Sequence, residues 1–391
     1  MQEINSKIIK INFERVSDDY EIRIGAGLLE NIGDFAKNLL NQKTRKICLF
    51  SNPKVFKLHG KTTERNLKNA GVDVSVFLMK DGERHKSWRS LEKALDFFAK
   101  QKLTRVDAVV ALGGGVVGDL AGFAAAIYLR GIPFIQVPTT VLAQIDSSVG
   151  GKTAVNSAMV KNSIGAFYQP RGVLVDINVL QTLSQRELAA GFYEVVKHAM
   201  LSGEELFGQT QNFLREFPLK QFPQLFSQQN ENFSVRLQNL IAANIAFKAE
   251  IVAGDERENV NRDDARSRKI LNFGHTIGHA LEQLTEYKQL KHGEAVAYGM
   301  MAAADLSKRL GKLNENDLNL LNEVLPLVGK LPKLKSVASK QIIEALAHDK
   351  KAVGDSFKWI LLERIGRAVI IDNKEIPIEL VRDSLRVVLR D

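Results

Sequence analysis

The feature that most constrains this chain is a change of rhythm at Ser184. Upstream, short apolar runs alternate with amphipathic segments of ten to fifteen residues; downstream, apolar residues recur almost only at helical spacing. The upstream pattern predicts helix Leu28 to Leu40, strand Lys46 to Phe50, helix Val55 to Ala70, strand Asp73 to Leu78, helix Trp88 to Lys100 and strand Ala108 to Leu112. Strands Phe134 to Val137 and Val173 to Asp176 follow. Strands joined through helices make right-handed crossovers and a mainly parallel sheet, which binds ligands at strand C-termini. Ahead of them, Ile8 to Phe13 and Tyr20 to Ile24 alternate apolar with polar residues and read as a strand pair closed by Gly25-Ala26-Gly27.

After Ser184, helices are expected over Gln185 to Leu201, Glu204 to Phe213, Phe233 to Asp255, Leu271 to Leu284, Gly293 to Leu310, Glu315 to Val324, Gln341 to Asp349 and Ile378 to Leu389. One small hairpin, Phe357 to Leu362 with Arg367 to Ile371, interrupts them. A length of 391 residues exceeds what one core fills, so two domains are expected. They are an α/β nucleotide-binding domain with a mainly parallel sheet at 1–183, and an all-α metal- and substrate-binding domain at 184–391.

Composition removes several classes. A single cysteine, Cys48, rules out an internal disulfide framework, and the charged start Met1-Gln-Glu-Ile-Asn-Ser-Lys7 lacks an apolar signal core, so the cytoplasm is expected. The most membrane-like run, Ala108 to Leu129, is broken by Asp119 and a glycine triplet, so no span is expected. Net charge is +9, but Lys and Arg are dispersed, which favours small acidic ligands over nucleic acid.

Three stretches carry chemistry. Val109-Val-Ala-Leu-Gly113-Gly-Gly115-Val-Val-Gly118-Asp119 is a buried strand entering a helix through glycines, so helix-start amides can meet a pyrophosphate without Cβ interference. A tight turn packing strand on helix would use the same residues. Pro138-Thr139-Thr140 opens a polar stretch with Asp146, Gly150-Gly151-Lys152, Lys161 and Asn162; burying such charges without partners is costly, so it reads as pocket lining, with a solvated hairpin as the alternative. Third, three of the seven histidines, His275, His279 and His292, fall within eighteen residues, beside Arg268, Asn272 and Lys291, which suit an anion.

His275 and His279 are four apart and project from one helix face, as metal ligands or as core histidines satisfied by hydrogen bonds. Glu194, with Lys197 and His198 one turn on, adds a carboxylate or else makes a surface ion pair. With His275 and His292 it would form a two-histidine, one-carboxylate set that leaves a coordination position open, as a catalytic zinc requires. Spacing alone does not choose between His275 and His279.

Gly113 to Phe123, Pro138 to Lys152, Lys161-Asn162, Gly191 to Lys197, Leu271 to His279 and His292-Gly-Glu294 occur in an order that resembles the 3-dehydroquinate synthase family over nearly the whole chain. The resemblance implies an NAD-binding α/β domain, a helical zinc (or cobalt) domain, a cleft between them and a homodimer. It places the metal on Glu194, His275 and His292 and turns His279 to substrate. NAD contacts are implied at Asn52, Asp81, Gly82, Glu83, Arg84, His85, Lys86, Gly115, Val116, Val117, Gly118, Asp119, Thr139, Thr140, Lys152, Lys161, Val179, Leu180, Gln181 and Thr182. Substrate contacts are implied at Asp146, Lys152, Asn162, Lys197, Lys248, Arg268, Asn272, His275, His279 and Lys350 or Lys351, with Arg130 from a second subunit.

The implied substrate, 3-deoxy-D-arabino-heptulosonate 7-phosphate of the shikimate pathway to chorismate and the aromatic amino acids, bears a carboxylate and a phosphate, so it needs several cations. Its conversion to 3-dehydroquinate and phosphate runs through transient oxidation by NAD, phosphate elimination, reduction and intramolecular aldol closure. Lys152, Asn162, Asn272 and His279 are assigned to the phosphate, Lys248 and Arg268 to the carboxylate, and Asp146 with Lys197 to hydroxyls. Two features depart from the family pattern: Asn259 to Ser267 lengthens the link ahead of Arg268, and Tyr193 stands beside Glu194 where a small residue is expected. The competing readings are a related sugar-phosphate cyclase, a metal-dependent alcohol or glycerol-phosphate dehydrogenase, and a catalytically dead nucleotide-binding scaffold.

Overall fold

A computed structural model describes residues 19–158, 160–334, 337–353 and 357–389. Among the described residues ten strands appear in chain order: β1 Glu21–Gly25, β2 Lys46–Ser51, β3 Asp73–Leu78, β4 Ala108–Gly113, β5 Phe134–Pro138, β6 Lys152–Val155, β7 Ile164–Phe167, β8 Gly172–Asp176, β9 Lys358–Arg364 and β10 Arg367–Asp372. Six of them form one sheet in the order β1-β8-β5-β4-β2-β3, every neighbour parallel. β4, β5 and β8 are buried along their whole length, as strands covered by helices on both faces must be. The edges are more polar: β1 exposes Glu21 and Arg23, which pair with each other, and β3 exposes Asp73.

From β2 the chain steps outward to β3 and then returns to β4 on the other side of β2. Loops leaving β2 and β4 therefore diverge, and a crevice opens between them at the strand C-termini, where doubly wound sheets take their ligands. Asn52 follows β2 and Gly114-Gly115 follows β4. Glycine here serves two ends. A Cβ at Gly113 would meet Val117 at 2.6 Å, and one at Gly118 would meet the Gln136 Oε1 at 2.8 Å, so both hold the helix Gly115–Ile127 against the sheet. Gly114 and Gly115 line the crevice instead.

One apolar core lies under the helices Trp88–Lys100 and Gly115–Ile127, built on Phe50, Phe98, Leu120 and Phe134. The other runs without interruption from the opposite sheet face, at Ile47, Leu49, Val110 and Leu112, into the helical half. There Phe192, Phe213, Phe222 and Phe233 stack with centroids 4.8 to 6.2 Å apart, each pair adding ~0.5–1.5 kcal/mol beyond its buried area. Among the described residues of the second half, the antiparallel β9-β10 hairpin is the one strand pair among helices, and it falls where the sequence predicts it. Among the described residues no helix is long and apolar enough to cross a membrane.

Three expectations need correction. Tyr20 to Ile24 does become a strand, but its partner is β8, in parallel; Ile8 to Phe13 lies outside the described residues. The predicted helix Leu271 to Leu284 is two pieces, a 3-10 turn Arg268–Asn272 and a helix His275–Leu284, separated by Gly274 at φ 80°. Apolar spacing is continuous through the break because both pieces bury the same side. The polar stretch after Asp146 is both of the things weighed for it: β6 and β7 form an antiparallel hairpin, and that hairpin lines the crevice.

Candidate active site and metal centre

Two glycine contacts build the centre. The helix Gln185–Ser202, capped by Ser184, buries residues from Ala190 to Leu201 without a break, so Glu194 and Lys197 sit inside the protein. The helix His292–Arg309 meets it where Gly293 presses on Ala190: a Cβ at Gly293 would lie 1.8 Å from the Ala190 carbonyl oxygen. That closeness brings His292 to Glu194. Arg186 fixes the register, donating to both carboxylate oxygens of Glu294 at 2.7 Å, while the same carboxylate accepts the Lys291 amide and closes a capping box. On its other side this helix touches His275–Leu284 so closely that a Cβ at Gly299 would lie 1.8 Å from the Gly274 oxygen. His275 and His292 then face each other, ring centroids 5.2 Å apart.

One ligand atom from each of Glu194, His275 and His292 lies within 4.8 Å of the others. Glu194 is wholly buried; Lys197 Nζ stands 2.6 Å from its Oε2 but is not aligned as a hydrogen bond, and neither oxygen accepts one. A buried carboxylate without hydrogen bonds is expensive unless a cation sits beside it. Burial first, then Lys197 and His292, push the His275 pKa well below the usual value, so the imidazole is neutral, as a metal ligand must be. Its Nδ1 is 3.3 Å from the Phe273 oxygen, which leaves Nε2 for a ligand. Burial opposes protonation of His292, yet Glu282 and Glu194 raise its pKa, so a positive charge is favoured at this point. Two neutralisable imidazoles and one buried carboxylate whose oxygens accept no hydrogen bond fit a divalent ion such as zinc or cobalt.

The cleft beside this centre, about 960 Å³, extends to the glycine turn after β4. Of the expected cofactor contacts, Asn52, Asp81, Gly82, Glu83, Lys86, Gly115, Val116, Val117, Asp119, Thr139, Thr140, Lys152, Lys161 and Thr182 line it. Arg84, His85, Gly118, Val179, Leu180 and Gln181 do not: Val179 and Leu180 are core, Gly118 is packed on Gln136, and Arg84 turns to His85. Asn52 caps the turn after β2 and donates to Asp81. Lys86 is buried between Asp119 and the Asn162 Oδ1. Burial lifts the Asp119 pKa even though Lys86 opposes the shift.

Among the expected substrate residues, Asp146, Lys152, Asn162, Lys197, Lys248, Arg268, Asn272, His275 and His279 share the same wall. Arg130 lies off it, on an exposed turn at φ 66°; Lys350 and Lys351 fall in the helix Ser339–Val353, in turns whose side chains are outside the described residues. Lys248 donates to the Asp146 carboxylate at 2.7 Å and to its backbone oxygen at 2.5 Å. Despite burial, Lys248 and Lys197 hold Asp146 well below the usual carboxylate range. Burial lowers Lys248 to about 8, and Glu194 with Asp146 more than offset burial at Lys197, whose pKa rises. His279 falls to about 4, through burial and then His292, so it is a neutral donor or acceptor at pH 7.

The two departures from the family pattern leave the wall intact. Asp263 in the long link pairs with Lys269 at 2.8 Å and Lys358 at 3.5 Å, anchoring the link to β9, and Lys248 and Arg268 still share the cleft. Tyr193 points away from the metal centre and donates to the Gly329 oxygen at 3.0 Å.

Comparison with known proteins agrees with this geometry. A family model described as the 3-dehydroquinate synthase N-terminal part matches residues 76–190, and its C-terminal counterpart matches 191–352. The chain belongs to the 3-dehydroquinate synthase family. It is 40% identical to the 3-dehydroquinate synthase of Nostoc punctiforme over 96% of this chain and 98% of that one, and 39% identical to that of Methylacidiphilum infernorum over 99% and 100%. Among solved structures it resembles a 2-epi-5-epi-valiolone synthase from Streptomyces hygroscopicus with NAD+ and Zn2+ bound (TM-score 0.82, 25% identity, 98% of this chain and 100% of that one). A 2-deoxy-scyllo-inosose synthase complexed with carbaglucose-6-phosphate, NAD+ and Co2+ gives a TM-score of 0.78 at 26% identity over 94% and 96%. A glycerol dehydrogenase from Schizosaccharomyces pombe, at 15% identity and TM-score 0.63, shares the fold alone.

Family membership does not by itself reveal two acidic residues that the sequence reading passed over. Glu282 follows His279 by three on the same helix and touches both His292 and Lys161; its place in the series His275, His279, Glu282 was a readable signal. Glu258 pairs with Lys152, a contact between distant segments that no local spacing announces.

Proposed function

We propose that this chain is a 3-dehydroquinate synthase, a carbon-oxygen lyase converting 3-deoxy-D-arabino-heptulosonate 7-phosphate to 3-dehydroquinate and phosphate. The observation carrying this is the meeting of His275 and His292 with the buried Glu194, the two histidines lying on the wall that also holds the glycine turn Gly114-Gly115 and the cations Lys197, Lys248 and Arg268. When bound, NAD supplies reversible hydride acceptance, and a divalent ion held by Glu194, His275 and His292 supplies a charge that acidifies the alcohol being oxidised. We assign residues 1–183 to the cofactor half and 184–391 to the metal and substrate half; the two family matches meet at 190 and 191.

Within that reading the chain's own groups divide the work. Asn52, Asp81, Lys86, Asp119, Thr139 and Thr140 orient the cofactor beside the helix start at Gly115, whose free amides favour its pyrophosphate. Lys152, Asn162, Asn272 and His279 hold the phosphate, and Lys248 with Arg268 hold the carboxylate. Asp146 and Lys197 orient hydroxyls; the low pKa of Asp146 keeps it an acceptor throughout. Glu258 screens Lys152 until an anion replaces it. Arg130 contributes from the second subunit of a homodimer, and the protein works in the cytoplasm.

Phosphate release from the heptulosonate phosphate, with and without NAD and with and without a chelator, tests the reading. Release that requires NAD and is lost with the chelator, without net NADH absorbance, is the expected result. Stoichiometric NADH would instead favour the dehydrogenase, and activity surviving full metal removal would overturn the metal centre.

A further inference from the structure

We propose that Glu282 is a positioning residue that fixes the ring of His292 for the cation held by Glu194, His275 and His292; this rests on the metal centre proposed above. Glu282 is only 5% exposed, and its Oε2 lies 3.2 Å from His292 Nδ1. The other ring nitrogen, Nε2, lies 3.6 Å from Glu194 Oε1. The imidazole is therefore strung between two carboxylates, one on each nitrogen. An Nδ1–H donated to Glu282 sets the tautomer, turns the Nε2 lone pair toward Glu194 and His275, and makes that lone pair more basic.

Glu282 cannot drift from this post. Its helix neighbours Ile277 and Leu281 are buried in the core, and a Cβ at Gly278 would already stand 3.3 Å from the backbone of Ala295, so the two helices are in close contact between the histidines. Its second oxygen, Oε1, faces Lys161 Nζ at 3.4 Å. Lys161 comes from the turn between β6 and β7 and also lies over the Tyr287 ring at 5.5 Å, so the same carboxylate that steadies His292 receives a cation from the opposite wall of the cleft.

A rival use of these atoms exists, since His279, Glu282 and His292 also bring ligand atoms within 4.8 Å of one another. That set would require His292 to coordinate through Nδ1, and it would place a divalent ion beside the Lys161 ammonium that already faces Glu282. An ammonium stands beside each carboxylate, Lys197 at 2.6 Å from Glu194 and Lys161 at 3.4 Å from Glu282, so charge does not choose between the sets; the rival set breaks the Nδ1 hydrogen bond to Glu282, whereas the buried oxygens of Glu194 accept none.

Co2+ affinity, measured on apoprotein by chelator competition with circular dichroism as the folding control, decides the matter. E282A is expected to raise the Kd by about 10–100-fold, the usual cost of removing an outer carboxylate from a ligating histidine. E282Q, whose amide oxygen still accepts the Nδ1–H, loses less; H279A stays close to the unaltered protein, and E194Q loses most. Should E282A retain the unaltered affinity while E194Q loses it, the positioning role is wrong and the metal centre stands. Should E282A and H279A both lose Co2+ while E194Q keeps it, Glu282 is a ligand of a different site, and both proposals fail. If E282A does not fold, E282M, which keeps the volume but accepts no Nδ1–H, decides: an affinity within about twofold of the unaltered protein overturns the role.

Discussion

Gly293→Ala tests how the metal centre is assembled, because it adds one methyl group where two helices touch. The new Cβ would lie 1.8 Å from the Ala190 carbonyl oxygen, and ordinary contact begins at 3.4 Å, so the start of the His292 helix must retreat by about 1.6 Å. Ala190 cannot yield instead, since Gly191 beside it is pressed on Val141, where a Cβ would stand at 2.5 Å. The retreat carries His292 away from Glu194. A misplacement of about 1 Å costs on the order of 10²-fold in turnover, and overpacking costs ~1–3 kcal/mol of stability. Expected results are a weakened Co2+ affinity in chelator competition, a lowered Tm and phosphate release down by about a hundredfold. Gly208→Ala is the control: nothing lies within 4 Å of the added methyl on the helix Glu204–Glu216, so stability should rise by ~0.5–1 kcal/mol with metal affinity unchanged. A G293A protein with unaltered metal affinity and turnover would refute the idea that this contact sets the spacing of the ligands.

Other consequences can be checked with the same assays. E194Q or H275A should abolish tight divalent binding, read by metal content after dialysis, because each removes a ligand from a set of three. Burial holds Lys248 at about 8, below its unfolded value of 10.5, so its ammonium is lost as pH rises past about 8 and the carboxylate end of the substrate loses a partner. KM should therefore climb above that pH, and K248R, which stays charged, should move the alkaline limb upward; an unmoved limb would show that another group titrates. The same shift favours the neutral amine in the folded protein, so the folding cost of charging Lys248 should fade as pH rises from about 8 to 10.5, seen as a rising Tm contribution relative to K248M. R186A leaves the buried Glu294 with only the Lys291 amide, so denaturant unfolding should show a loss of ~1–3 kcal/mol, towards the low end because Arg186 is half exposed.

Much of the fold is legible in the residues because it rests on local periodicity. Buried strands such as Ala108–Gly113 declare themselves as short continuous apolar runs and amphipathic helices such as Trp88–Lys100 at 3.6-residue spacing, and each falls within a residue or so of its predicted bounds. The glycine turn after β4 was readable as a strand entering a helix, but its two meanings were not separable: packing claims Gly113 and Gly118, and the crevice takes Gly114 and Gly115. Apolar spacing also hid the break at Gly274, since the turn before it and the helix after it bury the same side.

From the residues alone come the alternation of strands and helices, the switch at Ser184, the parallel sheet and a short roll of histidines, carboxylates and cations able to hold a metal and an anion. The residues do not say which of them meet. Strand order, with its crevice between β2 and β4, depends on pairings across the chain. So does the approach of Glu194 to His292, which is set by the missing side chains of Gly293 and Gly299 against backbone far away in sequence. Periodicity fixes the direction of a side chain within its own element; distance between elements is fixed by what packs between them, and there only the folded protein chooses His292 and Glu282 as neighbours.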